Sequence, residues 1–398
     1  MLNIFKHKAF SLIACLCLTS TGVAADAIDD RWQAFERRFD SMMADAGTIG
    51  ATVGFLRDGK IIARHNYGMA DDATGRQIDE GTIFHWASIT KTLTATAVMQ
   101  LRDRGRLSLD DPIIKYLPEV GAVHNPYGSM EDITLRHLIT HSSGFRSPTF
   151  PWGGGEDWHP FEPKAWSQVA AMMPYTRLHF PPGSAYSYSN PGISMLGRVV
   201  EIISGDSIEE YLTKNILMPL GMSKSYFDTT PYHLLADRSN SYWVEGGEVS
   251  AFGPDFDTGA TVGNGGLNAP VGDMVKWLNV WLGLDDSTPA ILRRESFDEM
   301  WQALRRTDDT SVEEYMGMVF FTIQNTPEGA AAPTRYIGHT GDQAGFTAFV
   351  YIDPKTGTAA IYNNNTAGDH AFGLRERVRA DMFEHIFPAA QNTTTEEK

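Results

Sequence analysis

Ala51-Thr52-Val53-Gly54-Phe55-Leu56 and Lys60-Ile61-Ile62-Ala63-Arg64-His65-Asn66-Tyr67 flank the tripeptide Arg57-Asp58-Gly59. Asp-Gly between two strand-like runs closes a tight hairpin, because glycine takes the positive φ that such a turn needs. The chain therefore starts a sheet close to its N-terminal end. Strand character returns only far downstream, at Met316 to Ile323, Arg335 to His339, Phe346 to Ile352 and Thr358 to Tyr362. Strands on either side of a helical middle predict an α/β fold of the α+β type: one antiparallel sheet built from both chain ends, with helices on its faces.

The helices follow from apolar spacing. Trp32, Phe35, Phe39, Met42 and Met43 recur at three-to-four steps between Asp30 and Gly47. Ala87 to Arg104 has no Pro or Gly, places Ile89, Leu93, Ala97 and Leu101 four apart, and runs into Gly105 as a C-cap. Residues 105–270 are broken by Pro, Gly and aromatics around short helical patterns such as Ile193 to Ile203 and Ile208 to Leu217, which predicts a mostly helical insertion. Further helices are expected near Val271 to Leu282 and over Phe372 to Phe387. The organisation read from these patterns is a sheet domain from 26–104 and 271–390, a helical insertion domain over 105–270, and a flexible tail at 391–398.

Composition narrows the classes of function. With 398 residues, 42% hydrophobic and 21% charged, the chain can bury a large core, so disorder, coiled coil and collagen are excluded. A net charge of −16, spread along the chain, repels phosphate backbones and argues against a nucleic-acid partner. Lys6 and Lys8 precede the apolar run Ala9 to Leu18, and Val23-Ala24-Ala25 offers a cleavage site, so residues 1–25 read as a secretory signal peptide and the protein as exported, to a bacterial periplasm. Cys15 and Cys17 would leave with it; without them disulfides, Cys zinc sites and thiol catalysis are ruled out. The alternative is Leu12-Ile13-Ala14-Cys15 as a lipobox, with Cys15 retained as a lipid anchor. No later stretch reaches 18 continuous apolar residues, so no transmembrane segment is expected in the mature chain.

The chemistry starts at Ser88-Ile89-Thr90-Lys91, which opens the predicted helix at 87–104. A hydroxyl is a weak nucleophile until a base takes its proton, and a lysine three residues on stands one turn away on the same face. Free N–H groups at a helix start also stabilise an oxyanion. Alone, Ser-x-x-Lys fits an N-cap serine beside a solvated lysine equally well. Two further patterns bear on the choice. Tyr188-Ser189-Asn190, after Phe180-Pro181-Pro182-Gly183 and before a helix near Pro191, supplies a phenol and an amide suited to a second proton carrier and a carbonyl contact. His339-Thr340-Gly341 ends a strand-like run, where a small glycine would let substrate approach an edge strand.

Other candidates are set aside. Lys355-Thr356-Gly357 follows Asp353-Pro354 between two strands and reads as a hairpin turn, and Tyr362-Asn363-Asn364 as a strand running into a turn. His137 and His141 stand i, i+4, but no Glu follows His137, so the zincin pattern fails; no metal and no cofactor is expected. Trp152-Gly153-Gly154-Gly155 with Trp158 reads either as a loop over the site or as a plain surface loop.

Ser-x-x-Lys, Tyr-x-Asn and a terminal x-Thr-Gly triplet together resemble the serine β-lactamase and penicillin-binding protein superfamily. The likeness extends over Ile133 to Gly144, Phe180 to Asn190, Ile203-Ser204-Gly205, Pro219-Leu220-Gly221-Met222 and Gly338 to Phe346, and so over nearly all of residues 30–388. Separations of 100 residues from Ser88 to Tyr188 and 151 from Tyr188 to His339 suit the branch holding class C β-lactamases, D-alanyl-D-alanine carboxypeptidases, D-aminopeptidases and esterases. The resemblance implies a β-lactamase/transpeptidase-like fold and an acyl-enzyme mechanism without cofactor. Ser88 would be the nucleophile, with Lys91 and Tyr188 sharing the proton work. Asn190, His339, Thr340 and Gly341 would hold the substrate, and the backbone N–H groups of Ser88 and Asp342 would form the oxyanion hole.

Free tyrosine and lysine are both protonated at neutral pH, so which of them deprotonates Ser88 stays open. Class C β-lactamases usually carry Lys where this chain has His339. A neutral histidine donates one hydrogen bond but no full charge, and Asp342 adds a negative charge beside it, so the expected substrate is a small molecule or short peptide that is neutral or amine-bearing: an amide or peptide with a D-residue, or an ester. The alternatives are a β-lactamase proper and a penicillin-binding sensor that acylates once without turnover.

Overall fold

The protein was analysed as a computed structural model that describes residues 21–145, 163–285, 287, 290–329, 332–368 and 371–391. Most of the expected leader, Cys15 with its lipobox, the Trp152 to Trp158 stretch and residues 392–398 lie outside the described residues. Among the described residues no helix is long and apolar enough to cross a membrane.

Helix and antiparallel sheet are combined as the sequence predicts. Nine strands form the main sheet: β1 (Gly50–Arg57), β2 (Lys60–Asp71), β3 (Arg76–Gln77), β4 (Arg305–Arg306), β5 (Glu313–Met316), β6 (Phe321–Asn325), β7 (Thr334–Gln343), β8 (Phe346–Asp353) and β9 (Thr358–Asn364). Their order is β3-β2-β1-β9-β8-β7-β6-β5-β4. The Asp58-Gly59 turn joins β1 to β2, and β1 pairs with β9 from Ala51 opposite Asn364 to Arg57 opposite Thr358. The two ends of the chain thus meet in the middle of one sheet. Lys355-Thr356-Gly357 lies in the turn between β8 and β9, with Gly357 at φ 68°.

Helices cover both faces. α1 (Thr21–Asp45) turns Ile28, Trp32, Phe35, Phe39 and Met43 inward at steps of three and four. They pack with Tyr336, Phe349, Tyr351 and Tyr362 of the sheet and with the C-terminal helical run, which covers α5 (Ala371–Asp381) and its extension to Gln391. Phe35 and Phe39 are fully buried, at about 2 kcal/mol each. On the other face α4 (Val271–Leu282), whose Trp277 and Trp281 are fully buried, lies against β8 and β9, and α2 (Thr90–Asp103) and α3 (Asn190–Ser204) pack together in the same apolar core.

Two expectations are corrected. The run Met316 to Ile323 is not one strand: β5 ends at Met316, Gly317 to Phe320 turn, and β6 begins at Phe321. Gly317 allows the turn because a Cβ there would sit 2.2 Å from the Met300 carbonyl oxygen. The stretch read as a helical insertion also carries strands. Ser241–Glu245 and Glu248–Gly253 form a hairpin around Gly246-Gly247, the first of them pairing in parallel with Thr366–Gly368, while Tyr226–Phe227 and Ile83–His85 flank Leu267–Pro270.

Candidate active site

Ser88 sits in a single 3-10 turn, Ala87–Ile89, that leads directly into α2. Trp86 fixes this turn by donating its N–H to the Leu267 carbonyl at 2.8 Å and its indole N–H to the Ala269 carbonyl at 2.9 Å. Thr90 Oγ donates to the Ala87 carbonyl at 2.6 Å and accepts the Leu267 N–H at 3.0 Å. Ala87 is held at φ 45°, a left-handed conformation unusual for a residue with a side chain, so neighbouring structure imposes the sharp bend before Ser88.

One helical turn on, Lys91 is completely buried, and its Nζ lies 2.8 Å from Ser88 Oγ and 2.7 Å from the Asn264 carbonyl oxygen. Asn264 is steadied in turn by donating Nδ2 to Ser194 Oγ of α3 at 2.8 Å. Neither partner of the lysine is a carboxylate, and burial pulls its pKa well below the ordinary lysine value. The Tyr188 ring centroid is 5.1 Å from Lys91 Nζ. Burial drives this phenol the other way, further above its usual pKa, and the Ser88 hydroxyl opposes that only in part. Its hydroxyl is buried close to Ser88 yet meets no full hydrogen bond among the described residues. Asn190 is the first residue of α3, and its Oδ1 is likewise buried without a partner.

β7 forms the other wall. β6 reaches no further than Phe321, opposite Gly338, so among the described residues no strand pairs with residues 339–343 of β7 on that side and their edge is free. Beyond it the strand does not end at Gly341 as expected but continues to Gln343. Ala344 and Gly345, at φ 50° and 85°, then make a two-residue turn to Phe346. Such a turn makes Gln343 and Phe346 a hydrogen-bonded pair, so His339, Gly341 and Gln343 bond to β8 while Thr340 and Asp342 direct N–H and C=O toward the free edge. By the same alternation the His339 side chain lies on the Ser88 side and those of Thr340 and Asp342 on the opposite face.

Gly341 has a different reason from the one expected. A Cβ on it would lie 2.4 Å from the Trp86 carbonyl oxygen and 3.3 Å from Ala87 Cβ. The glycine lets β7 press against the serine turn itself, with Asp342 the next residue along the strand. The charge expected on Asp342 is also balanced: its carboxylate is paired with Arg375 of α5. His85, just before the turn, ties these parts together through contacts of 3.0 Å to Asn268 Oδ1 and 3.0 Å to Gln343 Oε1.

His339 is fully buried, and its Nδ1 lies 2.5 Å from the Thr340 carbonyl oxygen. A carbonyl only accepts, so Nδ1 carries the proton and Nε2 is a bare lone pair, buried and unpartnered. Burial above all, with Lys91 when protonated and, more weakly, Arg375, holds its pKa down at about 3. The expectation that this histidine donates into the site is therefore corrected: it presents an acceptor.

Ser88, Lys91, Tyr188 and His339 are brought together, with Gly341 and Asp342 alongside. His137 and His141 do not form a pair. His137 closes the start of the short helix Leu135–Ile139 through Thr134, and His141 is buried against Tyr188 at a centroid separation of 4.6 Å. Among the described residues no cluster of three or more His, Cys, Asp or Glu side chains is placed to hold a metal ion. His85, Asn264 and Arg375 carry no local sequence signal. His141 lay within a quoted stretch of the resemblance but only as a possible ligand.

Comparison with known proteins bears on the family and the fold. The family model described as Beta-lactamase matches residues 35–381. Protein flp of Staphylococcus aureus strain COL is 24% identical over 336 residues, 84% of this chain; the match spans 63% of that protein, so the chain accounts for under two thirds of its length. Esterase EstB of Burkholderia gladioli is 32% identical over 212 residues, which is 49% of this chain and 53% of that one. The octameric penicillin-binding protein homologue from Pyrococcus abyssi superposes with a TM-score of 0.70 at 24% identity, covering 91% of this chain and 77% of that chain.

Proposed function

The chain belongs to the Beta-lactamase family, and from that premise we propose that it is an exported serine hydrolase that cleaves ester or amide bonds through an acyl-enzyme. The observation that carries this reading is the 2.8 Å contact between Ser88 Oγ and a lysine buried away from any carboxylate. The opposite displacements of Lys91 and Tyr188 divide the proton work. A lysine pulled down in pKa is available as a free amine and takes the Ser88 proton as the oxygen attacks the carbonyl. A phenol pushed up stays protonated and serves as the acid: it gives its proton to the leaving oxygen or nitrogen and is reprotonated from the Lys91 ammonium. The N–H groups of Ser88 and Asp342 receive the oxyanion, and Asn190 holds the substrate's amide or ester side.

His339 bears on the substrate. Because it offers a lone pair and no cation, a substrate group resting on it must donate a hydrogen bond, as an amine, amide N–H or hydroxyl does and a carboxylate does not. Together with the likeness to an esterase, this favours esters and amine-bearing amides, including short peptides with a D-residue, over carboxylate-dependent substrates. Thr340 acts here through its backbone at the free edge of β7, and Gly341 through the close approach to the serine turn that its missing side chain allows. Export follows from the leader-like residues 1–25 and is part of the same proposal.

Intact-mass analysis tests it. The native chain and Ser88→Ala are incubated with p-nitrophenyl esters, D-amino-acid amides and penicillin. An acyl adduct on the native chain alone, formed and released with an ester or amine-bearing amide, supports the reading. An adduct on Ser88→Ala, or turnover restricted to substrates with a free carboxylate, overturns it.

A further inference from the structure

His141 is a buried titratable group in this region that the chemistry above does not use. Its backbone is left-handed, at φ 52°, just past the end of the Leu135–Ile139 helix. From there it holds both neighbours of Tyr188. The Ser187 N–H donates to its carbonyl oxygen at 2.9 Å, and the Ser189 N–H donates to its ring Nδ1 at 3.0 Å. Between these bonds the imidazole stacks on the Tyr188 ring, with centroids 4.6 Å apart and planes inclined by 23°. Tyr186 meets the same imidazole edge-on at 6.4 Å. One residue thus fixes three consecutive residues of the loop that carries the phenol.

Tyr188 needs an external hold, because its hydroxyl has no full hydrogen bond to aim it. Among the described residues its other ring neighbours are Phe321, with centroids 6.4 Å apart, and His339 at 6.2 Å. These give contact but no direction, whereas the two backbone bonds to His141 give direction. The clamp also dictates a tautomer. Nδ1 accepts a backbone N–H, so the ring proton is on Nε2, which is buried without a partner. Protonating Nδ1 would set an N–H against the Ser189 N–H. Burial above all holds the ring neutral, and any proton taken up by Lys91 on α2 or His339 on β7 would oppose its protonation further. Tyr186 and Tyr188 are the other titratable groups it faces, and both stay protonated because burial raises them.

We propose that His141 is the positioning residue of Tyr188: as the neutral Nε2–H tautomer, it clamps Ser187 and Ser189 and so aims the phenol at the leaving group. This rests on the reading of Tyr188 as the acid. A phenol held this way matters most when the leaving group is basic and must be protonated as it departs, and least when it is a good leaving group such as p-nitrophenolate.

The test compares each enzyme on two esters of one acyl group, p-nitrophenyl and ethyl, as the ratio of kcat/KM values within one preparation, because both esters form the same acyl-enzyme and only acylation senses the leaving group. That ratio does not change with the fraction of protein folded. His141→Phe keeps a stacking ring but loses the acceptor. It should lose at least about tenfold more on the ethyl than on the p-nitrophenyl ester, since displacing a reacting group by ~1 Å costs up to about 100-fold. His141→Asn tolerates the left-handed backbone and puts Oδ1 where Nδ1 was, and should keep the ratio within about threefold of native. Tyr188→Phe should show the same selective loss, and the double variant His141→Phe/Tyr188→Phe should be no more selective than Tyr188→Phe alone. A selective loss in Tyr188→Phe with none in His141→Phe overturns the clamp and leaves the acid role standing. No selective loss in Tyr188→Phe overturns the acid role, and the clamp with it.

Discussion

Replacing Gly341 by alanine would force β7 off the turn that carries Ser88. The added Cβ would start 2.4 Å from the Trp86 carbonyl oxygen, and raising that to the 3.0 Å below which real Cβ contacts essentially never fall takes about 0.6 Å of separation. The backbone on one side is pinned by the Trp86 bonds to Leu267 and Ala269, and on the other by the pairing of β7 with β8, so no flexible side chain can yield instead. The shift falls on the distance between the Asp342 N–H and the oxygen developing at Ser88. A 1 Å misplacement can cost about 100-fold, so 0.6 Å should lower kcat by roughly 10- to 50-fold. Overpacking should remove about 1–3 kcal/mol of stability as well. Steady-state hydrolysis of a p-nitrophenyl ester, with thermal denaturation of the same samples, reads both. Gly272→Ala is the control: it lies in α4 with no heavy atom within 4 Å of the new Cβ, and should add up to about 1 kcal/mol while leaving kcat alone. Native kcat in Gly341→Ala would refute the argument that the glycine sets the oxyanion distance.

Three other outcomes follow from the geometry. Burial, with Arg238 nearby, pushes His85 down to about 4 from 6.5. The unfolded chain therefore binds its proton first, and stability should fall as pH drops from about 6.5 to 4, by up to roughly 3 kcal/mol. Urea titrations across that window, compared with His85→Gln, should show a shallower decline in the variant; equal slopes would remove His85 as the cause. Lys91→Arg replaces an amine that can lose its proton by a guanidinium that cannot, and should cut kcat by about 100-fold or more, measured with the same ester. Asp342→Asn removes the carboxylate from the Arg375 pair, whose side chains are 24% and 10% exposed; with Glu376 still holding the arginine, the cost should be about 2 kcal/mol in urea denaturation.

What could be read from the chain was mostly local. Asp58-Gly59 announces its hairpin because the turn chemistry lies in two residues, and Ser88 and Lys91 meet because three residues of helix bring them onto one face. Met316 to Phe321 misled because the run is apolar on both sides of the turn, and its sharpest residue, Val319 at φ 71°, is of a type that normally avoids that conformation. Gly246-Gly247 was a legible turn signal within a stretch read as helical. The tie of His141 to Ser187 and Ser189 spans more than forty residues, and that of Asp342 to Arg375 spans 33. Neither has a periodicity to betray it, and each exists only once the sheet and its covering helices have assembled.

The pairing of β1 with β9 has a consequence for how the protein is made. Synthesis finishes the first hairpin about three hundred residues before the strand that will cover its open edge leaves the ribosome. Until then the nascent polypeptide holds Val53 and Phe55 beside unpaired peptide groups, a surface prone to association. Such long-range closure makes for slow, late folding, so the chain should stay open while it is being made. That would suit passage through a narrow translocation channel, and it would leave the polypeptide dependent on holding chaperones until its last strand arrives.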